Sequence, residues 1–106
     1  MKKQRLLLWV IGLLTGLIIH DQDKSPLKMI QKIPLPKVKG RIDHLDADVR
    51  GKRLFVAGLE NDTLEVVDLK AGKWARSLPG VKTPQGVAYV PGLNKVFVAN
   101  ENDNTL

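Results

Sequence analysis

Apolar and polar positions along this chain follow two different rules. Leu6 to Ile19 is an apolar run broken only by Gly12, Thr15 and Gly16, with basic Lys2, Lys3 and Arg5 before it and polar His20 to Lys24 after it. From residue 44 onward the pattern is one of short strands. Leu45, Ala47 and Val49 alternate with Asp46 and Asp48, the period-2 signature of a strand with one covered face. Leu54 to Ala57 and Val96 to Ala99 are short continuous apolar runs, which suit strands in a sheet covered on both faces. Leu64 to Leu69 is rich in β-branched residues, and Trp74 to Leu78 mixes Trp, Arg and Ser as a partly wet edge strand does. Turn-forming residues separate these runs at Arg50 to Lys52, Glu60 to Asp62, Lys70 to Lys73 and Pro91-Gly92. No helical periodicity follows residue 24, so the expected class is all-β behind an N-terminal apolar helix.

The strands recur. Arg53-Leu-Phe-Val-Ala57 returns as Lys95-Val-Phe-Val-Ala99, 42 positions on, and the same shift carries Asn61-Asp-Thr-Leu64 onto Asp103-Asn-Thr-Leu106 without a gap. A period of about 40–45 residues holding several short strands is the spacing of a β-propeller blade. The expected layout is an outer strand at 28–34, a full four-stranded antiparallel blade over 44–78 and a half blade over 86–106. Pro34, Pro36 and Gly40 make the stretch between the first two a loop.

Pro84-Gln-Gly-Val-Ala-Tyr-Val-Pro-Gly92, leading into Lys95-Val-Phe-Val-Ala-Asn100, resembles the YVTN family of β-propeller repeat proteins. Leu64 to Leu69 before Gly72-Lys73 is similar to that family's valine-isoleucine-aspartate strand. The resemblance covers roughly residues 28–106. It implies an exported or surface protein of bacteria or archaea, built as a closed ring related to quinoprotein dehydrogenase propellers. Such rings have six to eight blades and this sequence carries about one and a half, so the expectation is a partial propeller that needs neighbouring units. Asp43-His44 also departs from the repeat, which has a small-residue turn there, as at Gln85-Gly86.

The three parts of the N-terminal segment are those of a secretory signal. Fourteen residues of helix would be about 21 Å long, short of the roughly 30 Å hydrocarbon core. No small-x-small cleavage site follows, so residues 1–24 read as a signal peptide or an uncleaved membrane anchor. The expected location is the periplasm, the exterior or the inner-membrane surface of a bacterium. The 106 residues hold 17 basic and 11 acidic side chains, but without residues 1–20 the excess falls to +3, too even to point to nucleic acid. The chain has no cysteine, which excludes disulfides, thiolate metal sites and a cysteine nucleophile.

One polar cluster could carry chemistry. Along a strand His44, Asp46 and Asp48 project to one side and Asp43 to the other. On the innermost strand of a propeller that side would line a channel, where a His and two carboxylates could hold calcium or act as a base. The plainer reading is that Asp43-His44 caps a turn and the aspartates face water. Glu60 to Thr63 and Glu101 to Thr105 recur in the same inter-strand place and read as turn chemistry. The functional expectation is a non-catalytic binding or scaffold module of the cell envelope, with further blades or other proteins as partners. A piece of a quinoprotein dehydrogenase-like or lactonase-like enzyme with an Asp43/His44 site is the competing expectation.

Overall fold

The computed structural model describes residues 26–106. The N-terminal helix, signal or anchor expected over 1–24 lies outside them. Six strands follow one another: β1 Leu45–Asp48, β2 Arg53–Gly58, β3 Thr63–Asp68, β4 Lys73–Leu78, β5 Pro84–Val90 and β6 Lys95–Asn100. All neighbouring pairs are antiparallel, in one sheet ordered β1-β2-β3-β4 and a second of β5 and β6. The chain is thus mostly β, and the four strands expected over 44–78 form one sheet.

The sequence repeat is also a backbone repeat. β2 and β6 have the same length with both ends displaced by 42 residues. Lys52 and Asn94, and likewise Asp62 and Asn104, are 42 apart and all four have positive φ, between 47° and 53°. The turn chemistry read at Asp62 and Asn104 is therefore seen as left-handed backbone, which Asn and Asp adopt with little strain.

Residues 28–34, expected as an outer strand, form no strand, and Met29 and Ile30 are 79% and 92% exposed. The Gln31 side chain stands against Gly72 of the β3–β4 turn, but among the described residues no strand pairs with this segment, and an edge strand needs such a neighbour. Farther along, this segment follows the first sheet. Lys37 Nζ lies 5.5 Å from the Trp74 ring centroid, and Glu60 N–H donates to the Arg41 carbonyl at 3.2 Å.

The two sheets pack face to face. Phe55, Leu64 and Val66 are buried from the first, and Val87, Tyr89, Val96 and Val98 of the second pack against them together with Leu78. The cross-strand pairs Phe55 with Val66, Val87 with Val98 and Tyr89 with Val96 put each set on one face. Burying these side chains is the main attraction between the sheets, at about 25 cal/mol per Å² of apolar surface removed from water.

Candidate functional site

The Asp43-His44-Leu-Asp46-Ala-Asp48 run lies where β1 meets the second sheet, and the fold distributes its polar groups among separate tasks. β1 starts at Leu45, so His44 precedes the strand. Its side chain is 67% exposed, and its Nδ1 lies 3.2 Å from Asp43 Oδ1. In β1 itself Leu45 and Ala47 are exposed while Asp46 and Asp48 turn toward the second sheet.

Asp46 is a junction residue. One carboxylate oxygen accepts the Tyr89 N–H of β5 at 2.7 Å, and the other accepts the Ala47 N–H at 2.8 Å. Ala47 and Tyr89 are themselves 42 residues apart, so one side chain holds equivalent amides of two successive units. These N–H groups, Tyr89 first and Ala47 second, hold the Asp46 carboxyl below the ordinary carboxylate range.

Asp48, almost fully buried, closes the β1–β2 turn. It accepts the Gly51 N–H at 2.9 Å and both Nε and Nη2 of Arg53, at 2.9 and 2.7 Å. The Gly51 amide and then the guanidinium lower its pKa, and Asp48 in turn raises that of Arg53. A Cβ at Gly51 would fall on Asp48 Oδ2, so any larger residue there would have to displace the carboxylate from its place in the turn. Arg53 completes the junction. Its Nη2 donates to Asn94 Oδ1 at 3.0 Å, and its guanidinium stands 5.4 and 5.6 Å from the Phe55 and Tyr89 rings, which stack with centroids 5.6 Å apart. Such cation–π contacts are favourable by about 0.5–1 kcal/mol or more as water is excluded.

Asp43 and His44 are therefore neighbours at the strand entrance, while Asp46 and Asp48 are each committed to backbone and guanidinium donors. The four side chains do not converge. Among the described residues no group of three or more His, Asp or Glu is placed to hold a metal ion.

The sequence reading passed over a second polar centre. Glu65, in the middle of β3, is fully buried and accepts the Trp74 Nε1–H at 2.7 Å and the Ser77 hydroxyl at 2.6 Å. The β3–β4 register pairs Val66 with Arg76 and Val67 with Trp74, leaving Ala75 as an extra residue. That bulge is what brings Trp74 and Ser77, three apart, to the same face. The available signal was a lone Glu inside an apolar strand. Both donors are neutral and both lone-pair sets are used, so the arrangement suits structural anchoring of β4.

No protein-family model matches the chain, and neither the curated proteins nor the solved structures contain a significant match to it.

Proposed function

We propose that this protein is a repeat-built binding scaffold of the cell envelope, in which 42-residue propeller-type units stack face to face and present their loops to partners. The observation that carries the reading is the equivalence of β2 with β6 in sequence and in backbone. It is supported by the stacking of one unit's Phe55 face on the next unit's Val87, Tyr89, Val96 and Val98. Phe97 stands 42 residues beyond Phe55 and is 38% exposed, so the second unit offers outward the kind of face that the first unit has covered. Units that hide their apolar faces only on one another are the physical basis of repeat architectures. The basic start and apolar run of the leader support export.

The repeat reading is tested by extending the chain. A copy of residues 65–106 appended after Leu106 continues the register, because 106 corresponds to 64. Urea denaturation should then show a higher midpoint and a larger m-value, with one cooperative transition. An unchanged midpoint with an unfolded appendage would overturn it. Export is tested by a reporter enzyme that is active only outside the cytoplasm, fused after Lys24. An inactive fusion would remove the envelope from the proposal.

A further inference from the structure

The β1–β2 and β3–β4 turns share one end of the first sheet, because its strands are antiparallel and consecutive in the chain, and the β5–β6 turn joins them there through Arg53 and Asn94. They are also contiguous. The Leu69 N–H donates to the Lys52 carbonyl at 2.8 Å, and Arg53 bridges to Asn94. One open cleft is lined by Arg50, Lys52, Leu69 and Lys70, and another by Val49, Arg50, Pro91 and Gly92.

Each of the three turns carries an exposed apolar side chain. Val49 is 73% exposed, Leu69 39% and Leu93 61%. Around them stand Arg50, Lys52, Lys70, Lys73 and Lys95, all exposed. The carboxylates of this end are already engaged, Asp48 by Arg53 and Asp68 by the Ala71 N–H at 2.8 Å. The opposite end has the reverse character, with Asp43, Glu60, Asp62, Glu101 and Asp103 against Lys39, Arg41 and Lys82. Among the described residues the excess of base over acid is therefore concentrated at the hairpin end.

We propose that this hairpin end docks on an anionic bilayer surface, with Val49, Leu69 and Leu93 entering the interface and the basic ring pairing with lipid headgroups. Apolar tips within a ring of cations match a surface that has anionic heads above hydrocarbon. A soluble polyanion would use the charges and leave the three apolar tips in water. The proposal stands on the geometry of the turns and holds whether or not further units follow.

The absence of cysteine allows one label to be placed anywhere in the full chain. An environment-sensitive fluorophore is attached to Leu93→Cys, to Val49→Cys and, at the other end, to Asp103→Cys. The labelled chain is mixed with phosphatidylcholine vesicles, with and without about a third phosphatidylglycerol. Expected is a blue shift at 93 and 49 on anionic vesicles only, reversed near 0.5 M salt, roughly where screening becomes short-ranged. The label at 103 should stay in water, even when the leader is in the bilayer. Lys70→Gln with Lys95→Gln should lower the docked-to-undocked ratio about fivefold per lysine, with unchanged circular dichroism. No shift at either hairpin label would overturn the proposal, as would equal shifts at 93 and 103 or an equal shift on neutral vesicles. A shift with soluble heparin and none with vesicles would assign the surface to a polyanion instead.

Discussion

β2 and β6 carry the same motif and live in different surroundings. In β2 every residue from Phe55 to Gly58 is buried, whereas in β6 burial alternates between half-buried and exposed along the whole strand. Phe55 is 4% exposed and Phe97 is 38% exposed. The difference comes from the neighbours: β2 has β1 and β3 on its flanks and a second sheet against its Phe55 face. β6 has β5 on one side, and among the described residues only the single bridge from Asn100 to Thr105 on the other. A continuous apolar strand thus states what a unit needs covered, and the stack decides whether it is covered.

The largest expected contrast lies between the two phenylalanines. Phe55→Ala should destabilise by about 3–5 kcal/mol and Phe97→Ala by about 1 kcal/mol or less, measured by urea denaturation. Equal losses would mean that both faces are buried in solution. Next comes the buried carboxylate. Glu65→Gln keeps one acceptor oxygen but sets an NH2 donor against the other of the two donors, and should lose about 1–3 kcal/mol. With Trp9 replaced by Phe so that Trp74 is the sole indole, red-shifted Trp74 emission should report the release of the ring, and an unchanged spectrum would argue against the Trp74 bond.

Acid should act on the junction between the sheets. Asp46 and Asp48 both have folded-state pKa values below the unfolded value of about 3.9. Their contribution is therefore fully present above about pH 4 and is lost as pH falls through the lowered values. Thermal midpoints between neutral pH and about pH 2 should fall more steeply for the natural chain than for Asp46→Asn with Asp48→Asn. Parallel curves would assign the acid sensitivity elsewhere. The smallest effect concerns equivalent turn positions. Lys52 at φ 53° has a strained backbone, so Lys52→Gly should stabilise by about 0.5 kcal/mol. Asn94→Gly should not, because the Asn94 side chain accepts from Arg53 and from the Tyr89 hydroxyl. A gain at both positions would show that those two bonds contribute little.

Strand order and position were legible because period-2 alternation, apolar runs and turn residues leave direct marks at Leu45 to Asp48, Leu54 to Ala57 and Leu64 to Asp68. The recurrence at 42 residues was legible for the same reason. Residues 28–34 resemble the β4 pattern at Met29, Ile30 and Ile33, but a pattern does not supply a partner, and among the described residues no strand pairs with them. At the candidate site the direction of Asp46 and Asp48 relative to Leu45 followed from alternation. Their partners did not, since Tyr89 and Arg53 reach them only through the packing of the second sheet and the closure of a turn. The Glu65 centre was hidden because the Ala75 bulge reverses the side on which Trp74 projects, and a strict alternation places it on the wrong face.

Asp46 has one more consequence. Adjacent copies of a similar strand motif are prone to pairing out of order, each strand finding its twin's partner during folding. Position 88, the counterpart of Asp46, is alanine. Only the earlier copy can therefore grip both amides, and an exchanged or slipped arrangement would leave that carboxylate beside a methyl group. This departure between the copies gives the tandem a first member and a second.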